Sequence, residues 1–146
     1  MTPVLDAEPK LIHRHLAFGW TMVASFIVLG LALELLHGFK IQWYLAMANE
    51  ARRLLWTLAH AHGVLLGLLN VVYALSLRGF GVRGGRQGLI SGLLIAGSLC
   101  LPLGFLLGGI VVHGGDPNLF IVLSPLGGVL LVAALPMIAW NFLRRG

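Results

Sequence analysis

Four long stretches of this sequence contain no Lys, Arg, Asp or Glu, and they constrain the fold more than any other feature. They cover residues 15–33, 54–77, 87–115 and 117–143. A helix needs about 20 mostly apolar residues to cross the hydrocarbon core of a membrane. We therefore expect an all-α membrane protein with four transmembrane helices, over about 15–37, 54–77, 88–113 and 119–143, in a single domain of residues 1–146.

The scarcity of charge excludes a water-soluble globule. Charged residues make up 10% of the chain, whereas an average soluble domain carries about 25%. With so few charged groups the chain cannot cover a water-exposed surface. The first fifteen residues include Asp6 and Glu8 and lack the apolar core of a cleavable signal peptide. The first span is therefore expected to remain in the mature protein.

The basic residues predict which way the helices face. An up-down bundle of four helices places both termini on one side of the membrane, and positive residues in short loops stay cytoplasmic. The side opposite the termini holds Lys40, Arg52 and Arg53. Both termini are therefore expected in the cytoplasm, in a membrane of the inner (cytoplasmic) type, and the positive charge requires no nucleic-acid partner. The terminal side holds Lys10, Arg14, Arg78, Arg83, Arg86, Arg144 and Arg145.

Glycines at helical spacing predict close packing of the spans. Inside lipid, helices associate through close contact of small residues, because water provides no hydrophobic drive there. The second and third predicted helices each contain a glycine pair at four-residue spacing, and the fourth has two adjacent glycines. These are Gly63 and Gly67, Gly104 and Gly108, and Gly127 and Gly128. Together they predict a tight bundle, and they favour further contacts with copies of the chain or with other subunits.

Ionisable side chains gather at the predicted outer ends of the helices, opposite the cytoplasmic face. Such residues are costly at membrane depth and are functional candidates by default. Imidazole groups suit copper, zinc or haem iron, and a carboxylate orients or ligates the metal. The candidates are Glu34 and His37 at the end of the first helix, His60 and His62 early in the second, and His113 at the end of the third.

Within this set, His60 is the better candidate for an inward-facing ligand. It shares a helical face with the packing glycines, whereas His62 shares a bulkier face with Leu66. Residues two apart on a helix point about 200° apart, so neither this pair nor His13 with His15 chelates one ion. Three interpretations remain open: histidines that only reach interfacial water, a metal or haem site, and a site for protons or a small ligand.

The sequence shows no nucleophile–base pair, no phosphate-binding loop and no dinucleotide fingerprint. The basic stretch at 78–88 is rich in glycine but lacks the strand–turn–helix context that such motifs require. An enzyme is therefore not the expected class.

The second half of the chain resembles the YgdD-like family of small four-helix membrane proteins. The resemblance rests on Gly-Ser-Leu-Cys-Leu at 97–101, Gly-Asp-Pro at 115–117 and Ser-Pro-Leu-Gly-Gly at 124–128. It implies the four-helix fold and topology, with a histidine ending the first helix at His37 and one early in the second at His60 or His62. The family has no established activity. This chain departs from its pattern in Pro102, in His-Arg-His at 13–15 and in a longer third connection.

A second resemblance concerns haem. His-Arg-His at 13–15 followed by Gly19, and His-Ala-His at 60–62 followed by Gly67, are similar to helix starts in haem–copper oxidase main subunits and their shortened relatives. The resemblance implies haem held by histidines on facing helices. The other motifs of those oxidases are missing from this chain.

These observations favour a small integral membrane protein that is an accessory or structural subunit of a membrane complex, or a self-associating bundle. Its expected partners are membrane lipid and other membrane subunits or copies of itself. One alternative is a haem- or copper-binding membrane protein that uses the outer histidines. A further alternative is a small proton-coupled transporter with Glu34 as the coupling residue.

Overall fold

The computed structural model describes residues 7–80 and 86–143. In this part of the chain, helices alternate with short turns and a single two-stranded hairpin. In chain order the elements are α1 (Ala7–Gly38), α2 (Gln42–Leu45), a 3-10 turn (Met47–Asn49), α3 (Glu50–Phe80), α4 (Gln87–Gly108), β1 (Val112–His113), β2 (Asp116–Pro117), a second 3-10 turn (Leu119–Val122) and α5 (Leu123–Leu143).

Four helical segments are long and apolar enough to cross a membrane. They are Pro9–Gly38, Met47–Phe80, Gln87–Gly108 and Leu119–Leu143. The prediction of four long apolar helices is therefore confirmed. Backbone groups in lipid must be satisfied within the segment itself, so long charge-free stretches have little alternative to the helix.

The third span ends earlier than predicted, at Gly108 rather than at residue 113. Beyond Gly109 the chain turns into the β1–β2 hairpin, whose turn holds Gly114 and Gly115 at φ values of 59° and 96°. Side chains other than glycine rarely adopt these angles, so this glycine pair favours a turn over a further helical turn. The expectation that His113 ends the third helix is therefore wrong, because His113 lies on β1.

The four long helices lie side by side in chain order, each antiparallel to the next. α1 packs on α3, α3 on α4 and α4 on α5, whereas α1 and α5 at the two ends of the row have little contact with each other. Apolar side chains from all four long helices meet in one core, near the end where α3 finishes and α4 begins. That core includes Leu77, Ile90, Leu94 and Ala134. We call this end of the bundle the inner end and the opposite end the outer end.

Glycines bring neighbouring helices into backbone contact. A Cβ on Gly67 would lie 2.9 Å from the carbonyl oxygen of Gly19 on α1, and one on Gly127 would lie 2.5 Å from the backbone nitrogen of Leu101 on α4. Of the other predicted packing glycines, Gly63, Gly104 and Gly108 also face a neighbouring segment, and Gly128 has open space around it. The α1–α3 and α4–α5 contacts therefore depend on the absence of a side chain.

The basic residues used to orient the bundle are only partly described. Arg78 lies in the last turn of α3 and Arg86 directly precedes α4, and both side chains are exposed at the inner end. Arg83, Arg144 and Arg145 lie outside the described residues.

Candidate functional site

A cavity of about 330 Å³ opens at the outer end of the bundle, between the last turns of α1 and the first turns of α3. The short helix α2 contributes Tyr44, whose side chain is only 3% exposed. We call this cavity the outer pocket. It is lined by Gly30, Leu33, Glu34, His37, Gly38, Tyr44, Thr57 and His60. Three of the five sequence-predicted site residues, Glu34, His37 and His60, therefore line one cavity.

His60 has a defined proton position in the outer pocket. Its Nδ1 lies 2.6 Å from the backbone oxygen of Phe26 on α1. A carbonyl oxygen only accepts, so Nδ1 carries the proton and donates it, and Nε2 of the neutral ring is left as an acceptor. The ring occupies the space that a side chain on Gly30 would fill. The absence of a side chain at Gly30 therefore allows the ring of His60 on α3 to reach the backbone of α1.

Glu34 and His37 lie three residues apart on α1, and both side chains are exposed. Within the described residues the Glu34 carboxylate makes no hydrogen bond and no ion pair. Its charge is therefore available to a molecule that enters the outer pocket.

The remaining two candidates lie elsewhere. His62 points away from the outer pocket, donates through Nδ1 to the backbone oxygen of Leu58 at 2.8 Å and packs its ring at 5.3 Å from that of Phe105. His113 is exposed on β1, opposite Asp116 of β2. In the part of the chain that the structure describes, no three His, Cys, Asp or Glu side chains converge as metal ligands. A metal or haem role for these histidines stays a prediction.

Two arginines hold the outer end together. Arg52 donates to the backbone oxygens of Gly109 and Ile110 at 2.9 and 3.3 Å, and its guanidinium lies over the rings of Trp43 and Trp56. Arg53 donates to the backbone oxygen of Tyr44 at 2.8 Å.

The fold perturbs the titration of the Tyr44 phenol at this end. Burial raises the pKa of the Tyr44 phenol above its usual range, and the positive charge of Arg53 opposes that effect. The phenol therefore stays protonated and neutral in the wall of the outer pocket.

A second polar centre lies near the inner end and was not predicted. His15 of α1, Asn70 of α3, and Ser91 and Ser98 of α4 are each 0% exposed. His15 Nδ1 lies 2.8 Å from Asn70 Oδ1, and His15 Nε2 lies 2.8 Å from Ser91 Oγ. Asn70 Nδ2 donates to Ser98 Oγ at 2.9 Å. We call these four residues the inner cluster.

The inner cluster has the connectivity of a nucleophile, a base and an orienting group. Ser91, His15 and Asn70 are hydrogen-bonded in the order that serine hydrolases use. The arrangement could not be predicted from the sequence, because the three residues lie on three helices. All three are fully buried, so no substrate carbonyl reaches Ser91 Oγ in this conformation. We therefore assign the contacts to helix association, for which polar side chains serve in membranes.

The two polar centres are separated by an apolar layer of Met22, Phe26 and Ala59, all buried. The ring of Phe26 fills the space above Gly63 on α3. The outer pocket therefore ends at this layer and does not continue to the inner cluster.

Comparison with known proteins finds no matching protein-family model, no matching curated protein and no matching solved structure. The resemblance to the YgdD-like family therefore stays a prediction.

Proposed function

We propose that this chain is a four-span integral membrane protein with cytoplasmic termini, which binds a small ligand bearing a primary ammonium group in its outer pocket. The observation that carries the proposal is the chemistry of the pocket wall. The wall contains the Glu34 carboxylate, which has no partner among the described residues, and it contains no Lys or Arg. Such a wall favours a cation over an anion.

The hydrogen-bonding groups of the wall match this ligand class. A primary ammonium group has three donors and no acceptor. The Glu34 carboxylate, Nε2 of His60 and the Thr57 hydroxyl offer acceptors in one cavity. A volume of about 330 Å³ lies at the small end of the range for ligand pockets, which favours a small ligand or a headgroup.

The position of the outer pocket along the membrane normal indicates where the ligand can come from. At 1.5 Å per residue, about 30 Å of helix separates Arg14 from Glu34, which equals the thickness of the hydrocarbon core. With Arg14 at the cytoplasmic boundary, Glu34 lies at the headgroup level of the outer leaflet. The ammonium group therefore comes either from a phosphatidylethanolamine headgroup or from a free amine on the outer side.

Binding to the full chain in phosphatidylcholine nanodiscs tests the proposal. One arm titrates free ethanolamine by calorimetry, and the other compares retention of phosphatidylethanolamine and phosphatidylglycerol by native mass spectrometry. Glu34→Gln is expected to weaken amine binding about tenfold, because it removes the charge and keeps the shape. Glu50→Gln is the matched control, since Glu50 is exposed at the same end and does not line the outer pocket.

Equal binding by the wild type and Glu34→Gln in both arms contradicts the proposal. Parallel titrations with Zn²⁺, Cu²⁺ and haem address the metal alternative, and saturable binding of one of these with no amine binding would replace the ammonium ligand. Proton-linked amine uptake into proteoliposomes that is lost in Glu34→Gln would extend binding to transport.

A second candidate function is that of an accessory or self-associating subunit, and exposed small residues on the face of α1 that borders α4 favour it. Ala17, Thr21 and Ser25 recur there at four-residue spacing, and all three are exposed. Small and hydroxyl-bearing residues at this spacing are typical of helix–helix contacts in membranes.

Mass photometry of nanodisc-embedded protein tests this candidate. The double substitution of Thr21 and Ser25 by Leu is expected to shift the population to single chains. Val129→Leu on the exposed face of α5 serves as the control. A wild type that is already a single chain, or a double variant with unchanged mass, would rule out association through this face.

A further inference from the structure

Two sides of the outer pocket are closed by the protein. On the inner side, the ring of His60 lies against Gly30 and donates to the backbone of α1. On the side of the outer end, α2 forms the wall through Tyr44, whose side chain is 3% exposed. Arg53 fixes this wall by donating to the backbone oxygens of Tyr44 and Ala46 at 2.8 and 2.9 Å. The pocket therefore opens mainly on a flank of the α1–α3 pair.

The flank on which the pocket opens faces away from α4. Glu34 and Thr57 line the pocket, and both are exposed. Glu34 lies five residues after Leu29, which faces α4 across an apolar groove, so their side chains point about 140° apart. Thr57 lies five residues before His62, whose ring packs on Phe105 of α4, so the same angle separates this pair. In a membrane the open flank faces lipid, because α4 lies on the opposite flank and α5 packs on α4.

Between the pocket and the inner end, the open flank is apolar on both helices. On α1, Ile27 and Leu31 precede Glu34 by seven and three residues and are 53% and 59% exposed. On α3, Ala61 and Leu68 continue the face that lines the pocket, and both are exposed. We call Ile27, Leu31, Ala61 and Leu68 the lateral strip. The pocket therefore opens directly beside uncovered apolar surface.

The lateral strip has the length of an acyl chain in one leaflet. Leu68 lies eleven residues after Thr57, which is about 16 Å along α3 at 1.5 Å per residue. That distance is about half the thickness of the hydrocarbon core, and so about the depth of one leaflet. The spacing from Arg14 places Glu34 at the headgroup level. A lipid whose headgroup enters the pocket therefore meets an apolar surface of matching length.

We propose that the ligand of the outer pocket is a phospholipid of the outer leaflet whose headgroup ends in a primary ammonium group. The ammonium group pairs with Glu34, and one acyl chain lies on the lateral strip. The pocket wall has a carboxylate and no Lys or Arg, so a zwitterionic lipid suits it better than an anionic one. This inference rests on the proposed function, because the ammonium site holds the headgroup, and it assigns the ligand to the lipid phase.

Photocrosslinking of the full chain in phosphatidylcholine nanodiscs tests the inference. The probes are a phosphatidylethanolamine and a phosphatidylcholine that carry the same diazirine in one acyl chain. After irradiation and proteolysis, mass spectrometry compares labelling of the lateral strip with labelling of α5. The phosphatidylethanolamine probe is expected to label the strip about tenfold more than the phosphatidylcholine probe, because a quaternary ammonium group has no donor for the pocket, and α5 is labelled equally by both.

Three variants locate the bound lipid. Glu34→Gln removes the charge that holds the headgroup, so the preference for phosphatidylethanolamine is expected to disappear. Ala61→Trp places a large side chain on the lateral strip beside the opening and is expected to reduce the preference about fivefold, with binding of free ethanolamine unchanged. Ala32→Trp is the matched control and is expected to keep the preference, because Ala32 is exposed two residues before Glu34 and points about 200° away from it.

Three results would each overturn the inference. They are equal labelling of the lateral strip by the two probes, an unchanged preference in Glu34→Gln, and an unchanged preference in Ala61→Trp. Calorimetry with free ethanolamine on the same samples separates these results from the proposed function. Ethanolamine binding that depends on Glu34, without a lipid preference on the strip, rejects the lipid ligand and leaves the proposed function standing. Loss of both rejects both.

Discussion

The inner cluster and the outer pocket both take residues from α1 and α3, and α4 contributes only to the inner cluster, yet the polar groups of the two regions are in opposite states. His15 and Asn70 are fully buried, and their donors and acceptors are matched to partners. Glu34 and His37 are exposed, and Glu34 has no partner in the described residues. Paired polar groups in a dry site hold helices together, whereas an unpaired group beside a cavity is available to a ligand.

The largest expected effect is a difference in stability between a variant of the inner cluster and a variant of the outer pocket. Asn70→Ala leaves His15 Nδ1 without its acceptor and empties a packed site, so the free energy of unfolding is expected to fall by about 3 kcal/mol. Glu34→Gln in the outer pocket is expected to change it by less than about 0.5 kcal/mol. Steric-trapping measurements in bicelles compare the two variants. Equal losses would remove the distinction between the regions.

A smaller loss of unfolding free energy is expected when a large side chain is placed in the α1–α3 contact, between the inner cluster and the outer pocket. Gly67→Leu drives a side chain against the backbone of Gly19, which is expected to cost about 2 kcal/mol. Gly128→Leu adds the same side chain where the structure has open space, and its stability is expected to stay within about 0.5 kcal/mol of the wild type. Thermal unfolding of the purified proteins in one lipid mixture tests the pair. A destabilised Gly128→Leu would show that its surroundings are filled.

The smallest expected effect is a shift in the titration of Tyr44, which tests whether this side chain is buried in the wall of the outer pocket. Burial raises the pKa of the Tyr44 phenol, so its phenolate absorbance is expected to appear at a pH above the ordinary value of 10.0. The difference between titrations of the wild type and Tyr44→Phe isolates this group. Arg53→Gln removes the opposing positive charge and is expected to move the step further upward. A step at or below the ordinary value would mean that Tyr44 is not buried in the pocket wall.

The long helices could be predicted because a single physical requirement, hydrogen bonding of the backbone inside lipid, determines where they form. Apolar stretches must satisfy their backbone groups internally in lipid, so the predicted spans 15–37 and 54–77 fall inside α1 and α3. Hydropathy does not respond to backbone angles, however. The apolar run therefore extended the predicted third span to His113, whereas the helix ends at Gly108 and the chain then turns at Gly114 and Gly115.

The outer pocket could be predicted in part, because antiparallel helices bring the end of α1 beside the start of α3. Glu34, His37 and His60 meet for this reason, and His113 does not because its predicted position depended on the overextended helix. The inner cluster could not be predicted in the same way. It takes single polar residues from three helices, and only the rotation of each helix about its axis decides that His15, Asn70 and Ser91 point at one another.

The open row of helices has a consequence for biosynthesis. Each long helix packs on its neighbour in the chain, so its contacts lie close together in sequence, an arrangement associated with fast assembly. Because α5 packs mainly on α4 and has little contact with α1, α1 and α3 can pair before α5 is synthesised. The ribosome can deliver α1 and α3 to the membrane as a paired unit, onto which α4 and then α5 dock as each emerges.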